Sequence, residues 1–204
     1  MLGGSLALHT IIPVVDISLS LGGASQHKTG LGDVTVGAAV VTHYSPKLHT
    51  VLGLDFVLPV GGYNQADMVN IGRNYLSTQT TYILSYLDPT GFNGDVKLTF
   101  NFNQKNSATQ YTSGDEVFAD YSAGYGFGNG WTAGVGGHLR QQFNDDVKNG
   151  VTVANNRASS FSIRPSVKYD NGKGWFITAK LQQEVSVKNT TQGSALWIKS
   201  TIPF

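Results

Sequence analysis

The chain of 204 residues contains no cysteine, which excludes a disulfide scaffold and every metal site built on thiolates. Charge is scarce too: 13% of residues are Asp, Glu, Lys or Arg, against roughly 25% in soluble domains. The formal net charge is +1 and no Lys/Arg block occurs, so nucleic acid is not an expected partner. No apolar run reaches the roughly 18 residues that suggest a transmembrane helix. The opening MLGGSLALHTIIPVVDISLSL has no charged start before its apolar stretch, and reads as a strand, not a leader. Catalytic signatures are also missing. His9, His27, His43, His49 and His138 do not fall at HExxH or other ligand spacing, and no GxSxG elbow marks a nucleophile. GYGFGNG lacks the following helix that a phosphate-binding loop requires. The expectation is no enzyme, no cofactor and no metal.

What is abundant is glycine, with 25 residues, and alternation with a period of two. In EVFADYSAGYGF, Val117, Ala119, Tyr121, Ala123, Tyr125 and Phe127 oppose Glu116, Phe118, Asp120, Ser122, Gly124 and Gly126. The same test predicts ten strands near 4–21, 32–44, 48–60, 73–87, 92–105, 115–127, 131–144, 158–169, 175–188 and 194–204. Their charges, Asp33, Asp55, Asp95, Lys97, Glu116, Asp120, Arg140, Arg164, Lys168, Lys180, Glu184 and Lys199, share the polar parity of each strand, as does His138. A soluble sandwich also alternates, but its charged face meets water and its apolar face packs inside. Strand length argues for a membrane wall: soluble strands usually have about 5–6 residues, and a tilted bilayer crossing takes about 9–11. The fold class expected is therefore an all-β transmembrane antiparallel barrel, with residues 1–204 as one domain and ten strands in this chain.

The connections alternate between short turns (SPK, DPTG, GNG, DNGKG) and long polar loops, as at the two rims of outer-membrane barrels. Aromatic residues bracket the short turns. Tyr44, Tyr86, Phe92, Phe127, Trp131, Tyr169 and Trp175 are expected to form the periplasmic aromatic girdle, with Asn-Gly supplying positive φ in the hairpins. The end WIKSTIPF alternates and closes on Phe204, which resembles the signal read by the barrel assembly machinery and places the C-terminus at the periplasmic rim.

The inner face is where selectivity resides in such barrels. Asp16, Asp33 and Asp55 come from the first strands, and Arg140, Arg164, Lys168, Lys180 and Lys199 from the last. Two arrangements are open: a transverse field across the lumen, or an internal belt of ion pairs. If Asp16 points inward, so do Leu6, Leu8, Ile12 and Val14, giving an apolar lumen stripe extended by Val41, Val51, Val57 and Ile83. Such a stripe suits a hydrophobic ligand or packs a plug. Pro13 reads as an edge or bulge signal.

GLGDVTVGAAV (Gly30 to Val40), NIGRNY (Asn70 to Tyr75), DYSAGYGFGNGWTAGVGG (Asp120 to Gly137) and PSVKYDNGKGWFITAKLQQE (Pro165 to Glu184) resemble the outer-membrane channel family linked to the meta-cleavage pathway of phenol degradation. The resemblance implies a twelve-stranded barrel that takes up hydrophobic, often aromatic molecules, with an N-terminal segment folded into the lumen. Against that pattern, the chain is expected to lack the plug segment and two strands. The function expected is passive uptake of small hydrophobic or aromatic molecules through the bacterial outer membrane. The alternative is a general diffusion pore for small polar solutes or ions. Expected partners are outer-membrane lipid, the permeant and the assembly machinery, with the barrel acting as a monomer.

Overall fold

The structure is a computed structural model and describes residues 4–201, so Phe204 lies outside the described residues. Among these residues every regular element is a strand: β1 Gly4–Ile11, β2 Val14–Leu21, β3 Ala24–Leu31, β4 Val34–His43, β5 Leu48–Leu58, β6 Ser77–Tyr86, β7 Phe92–Asn103, β8 Tyr111–Thr112, β9 Glu116–Gly126, β10 Trp131–Gln142, β11 Asp146–Lys148, β12 Val151–Val153, β13 Ser159–Asp170, β14 Phe176–Lys188 and β15 Ser194–Thr201. Ten form one antiparallel sheet in the order β1-β4-β5-β6-β7-β9-β10-β13-β14-β15, and among the described residues β1 is not paired with β15. Their hydrogen-bonded neighbours follow chain order once the loop strands are set aside, which is an up-and-down meander.

The loop strands are the first difference from the sequence expectation. The strand expected over 4–21 is two strands, β1 in the main sheet and β2 in a separate hairpin with β3. The stretch 22–30, expected as a loop, turns at Gly22-Gly23, whose φ values of 60° and 84° suit glycine, and then runs as β3. Two further loops supply β8, β11 and β12, which form a three-stranded sheet.

The break comes from a slip of one residue. Ile11 faces Thr35 and Val14 faces Leu31, so two residues, Ile12 and Pro13, oppose three, Gly32 to Val34. Pro13 has no N–H for the ladder, and the Gly32 N–H donates to the Pro13 carbonyl across the break at 2.9 Å.

The tight turns also differ in detail. Positive φ falls on Gly128 (78°), Gly130 (89°), Gly172 (69°) and Gly174 (91°), not on Asn129 or Asn171. The asparagines act through their side chains: Asn129 Oδ1 accepts from the Trp131 N–H (3.2 Å), and Asn171 Oδ1 from those of Lys173 (2.8 Å) and Trp175 (3.2 Å).

Burial is inverted relative to a water-soluble sandwich. Among the described residues the buried apolar side chains are Val57, Val69 and Ala158, while Ser77, Thr81, Thr99, Asn101, Glu116, Ser160 and Ser162 are buried polar ones. Leu52, Leu54, Phe56, Tyr82, Leu84, Val96 and Phe100 lie open on the opposite face. Each such side chain, left about half in water, forfeits about half of the 1.5–3 kcal/mol that full burial supplies. Seven together forfeit an amount comparable to the roughly 5–15 kcal/mol net stability of a typical domain. A hydrocarbon surround removes that cost.

Candidate functional site

Alternation and register together sort the side chains by face. On β5 the odd residues His49, Val51, Gly53, Asp55 and Val57 share one face, and register carries it to the odd residues of β4, β6 and β7 and the even residues of β9 and β10. Asp55, Asp95, Lys97, Glu116, Asp120, His138, Arg140, Arg164, Lys168, Lys180, Glu184 and Lys199 stand on this face. Lys188, the last residue of β14, falls on the other face, because a bulge opposite Phe161/Ser162 shifts the register. The charged face bounds a cavity of about 790 Å³ that reaches from Pro46, in the β4–β5 turn, to Lys199 on β15. Residues near opposite ends of the strand order line one space, so the sheet curls and the charged face is the inner one.

The acidic groups and arginines of this face are tied to neighbouring groups. Arg164 Nη2 reaches Asp120 Oδ1 at 2.6 Å and the Gly137 carbonyl at 2.7 Å, and His138 lies 3.3 Å from the same carboxylate. Arg140 Nε donates to Glu116 (2.6 Å) and its Nη1 to Thr190 Oγ1 (3.0 Å). Asp95 accepts from Ser122 Oγ at 3.0 Å, and His9 Nε2 lies 2.8 Å from Asp55 Oδ1. Glu184 accepts from the Gly193 N–H at 2.8 Å.

Two of these pairs skip a strand, and glycine makes that possible. His9 and Asp55 both face Gly37, and a methyl group there would overlap Asp55 Oδ1. Arg164 faces Gly136, beyond which lies β9 with Asp120. A bare α-carbon lets a long side chain lie flat over the middle strand.

This geometry corrects three expectations. The acidic residues of the first strands do not face the basic residues of the last: Asp55 is held by His9, and Asp33 binds the Gly61 (2.9 Å) and Arg73 (2.7 Å) backbone N–H groups at the base of the 59–76 loop. Asp16 is not on the inner face. It pairs with His27 and Thr29 at 2.9 Å on the side of the β2–β3 hairpin opposite Gln26, Lys28 and Gly30, which meet Asp67 and Ile71 of the loop. Leu6 and Leu8 follow Asp16 outward. They face Val40 and Ala38, on the side opposite His9, and Leu6 and Leu8 are 70% and 78% exposed, with Ile12 and Val14 also open. The parity argument linking these residues to Asp16 is sound, but the face was assigned from one carboxylate that lies beyond the wall, where outward means toward water. Val41, Val51 and Ile83 do form one row on the inner face, with Val57 buried nearer the long loops.

The seven aromatic residues expected at the tight turns cluster at that end of the sheet. Ring pairs run Phe92–Tyr125 (5.3 Å) and Tyr125–Phe127 (5.8 Å), then Trp131–Tyr169 (5.0 Å) and Tyr169–Trp175 (5.8 Å). Tyr44 and Tyr86 are open on the apolar face, with Tyr44 Oη accepting from Thr50 at 3.4 Å. Sequence reasoning passed over three inner aromatics. Phe118 lies 5.7 Å from the His138 ring, Phe176 sits beneath lysines, and Trp197 Nε1 donates to Gln182 at 3.2 Å. Their polar parity was the available signal.

Above the wall, Asp146 organises the three-stranded loop sheet. It accepts from Tyr111 Oη, the Gly114 N–H (2.7 Å), Gln142 (2.8 Å) and Asn156 (2.5 Å). Burial and then the Asp146 carboxylate push the Tyr111 hydroxyl up to about 12. Burial raises the Asp146 carboxyl, but the donors around it outweigh that and hold it below its ordinary value.

A long-stranded antiparallel sheet, apolar outside and ionic around an inner cavity, has the fold of an outer-membrane β-barrel channel. The outer membrane channel from Pseudomonas putida F1 superposes with a TM-score of 0.80 at 16% identity, over 97% of this chain and 75% of that one. Residues 1–200 match the family described as "Putative MetA-pathway of phenol degradation", and the chain belongs to that family. No curated protein matches the sequence.

Proposed function

We propose that this chain is the wall of a bacterial outer-membrane channel for passive uptake of small hydrophobic and aromatic molecules. The observation that carries this reading is the inverted burial: ionic and hydroxyl groups surround the cavity while leucine, valine and aromatic side chains face outward. The family's connection with phenol degradation and the channel nature of its structural neighbour support it. Inside, the Val41–Val51–Ile83 row and the rings of Phe118, Phe176 and Trp197 offer apolar contact between ionic groups, as suits a ring bearing one polar substituent. The mechanism is binding and diffusion, without covalent chemistry. The short turns and the aromatic cluster beside them support a reading in which the tight-turn end faces the periplasm.

Outer-membrane vesicles with a lipopolysaccharide leaflet test the reading. Vesicles carrying the protein are expected to take up phenol and benzyl alcohol faster than empty vesicles, and equal rates overturn it. A second reading, a general pore for small polar solutes, draws on the lysines of the inner face; swelling of the same vesicles in arabinose without faster phenol entry would favour it.

A further inference from the structure

The tight-turn end of the cavity is basic in a way the rest of the inner face is not. Phe176, the first residue of β14, points inward, with Lys168 Nζ 4.8 Å and Lys199 Nζ 5.7 Å from its ring centroid. Lys180 stands on the same face of β14, and all four residues line the 790 Å³ cavity. Lys168 is paired with Asp170 at 2.9 Å. Among the described residues neither Lys180 nor Lys199 has a carboxylate within ion-pair distance, although every arginine of the wall has one. Asp95, the other acid of this cavity, is engaged by Ser122. Three ammonium groups against two carboxylates leave one positive charge. Along the wall from Lys180, past Ser166, the same row continues through Gly134 and Gly124, which leave a flat strip of backbone as the cavity floor.

We infer that this end of the cavity is a binding subsite for a small aromatic monoanion, a single ring bearing a carboxylate. Lys180 and Lys199 take the carboxylate, and the ring lies against Phe176 over the glycine floor. Lys168, fixed by Asp170, orients the Phe176 ring by its cation–π contact. The inference rests on the inner face being the interior of a channel for aromatic molecules, and adds the sign of the charge that the permeant carries.

The test uses the full chain, first in detergent micelles by equilibrium dialysis against benzoate and benzyl alcohol, then in vesicles with a lipopolysaccharide leaflet. Benzoate is expected to bind at least about fivefold more tightly than benzyl alcohol, the factor expected for one charge pair at about 4 Å in water. Lys180→Gln and Lys199→Gln should each cut the benzoate preference by about fivefold, and Lys199→Arg should preserve it. The preference should fade as salt rises. Equal affinity for the two probes, or a preference unmoved by either glutamine variant, overturns the subsite. Heat-modifiable migration in SDS confirms that each variant is folded. If a glutamine variant does not fold, loss of the preference in Lys199→Arg overturns the inference in its place. Vesicle uptake separates the two readings: entry of benzyl alcohol without preference for benzoate rejects the subsite and keeps the channel, while entry of neither rejects the channel.

Discussion

Gly37→Ala should destabilise the wall through Asp55, two strands away from the His9 it holds. The added methyl group would overlap Asp55 Oδ1 and stand 2.9 Å from the Leu54 carbonyl oxygen. The carboxylate must turn away, which breaks its 2.8 Å contact with His9. A close contact of this kind on a part-exposed face, without hydrogen-bond alignment, contributes at most about 1 kcal/mol. Crowding against the Leu54 carbonyl adds about 1 kcal/mol of strain. Alanine recovers about 0.5–1 kcal/mol relative to glycine in a strand. The expected net loss is about 1 kcal/mol, read by urea unfolding of the protein in phospholipid vesicles. The decisive measurement is a double-mutant cycle with Asp55→Ala. The approach to the Leu54 carbonyl is common to both backgrounds and cancels. With Asp55 gone, the loss caused by Gly37→Ala should shrink by up to about 1 kcal/mol. An identical loss in both backgrounds would refute the idea that this glycine exists to let Asp55 reach His9 across the strand.

The tryptophans report the two faces separately: in single-tryptophan variants, Trp131 should be quenched by brominated lipid, and Trp197 by aqueous iodide, with the reverse pattern contradicting the assignment of faces. Gly172→Ala, at φ 69°, should cost about 1 kcal/mol in the same unfolding assay, and an unchanged midpoint would argue against a strained turn. The loop sheet should have a pH window. Asp146, held below its ordinary 3.8, contributes stability above about pH 4 that is lost as pH falls through its folded value. Tyr111, raised from 10.0 to about 12, contributes stability below pH 10 that is lost as pH climbs toward 12. Resistance of the loops to proteolysis should therefore fall at both extremes, and Tyr111→Phe should remove the alkaline limb and, by taking a donor from Asp146, weaken the acid one; an alkaline limb that survives this substitution refutes the assignment.

Much of the wall is legible in the sequence because period two and turn chemistry are local. The run from Glu116 to Gln142 shows both faces, the turn and the flanking rings without any knowledge of its neighbours. Pairing between strands is not local. That Asp55 reaches His9 over Gly37, or Arg164 reaches Asp120 past Gly136, depends on register, which alternation leaves free in steps of two residues. The fate of Asp16 was illegible for another reason. A carboxylate marks water, and beyond the hydrocarbon water lies on both sides of a strand. Trp197 and Phe176 were passed over because a ring on polar parity runs against the pattern that defines the faces, and such exceptions are where binding is expected.

The slip at Pro13 and Gly32 works as a phase shifter between two ladders. Below it the register is pinned by oil on one side and ions on the other, so a single inserted residue would turn a whole strand inside out. Above it the hairpin keeps its own count, so residues can be added or lost at its Gly22-Gly23 tip while the ladder beneath stays in step.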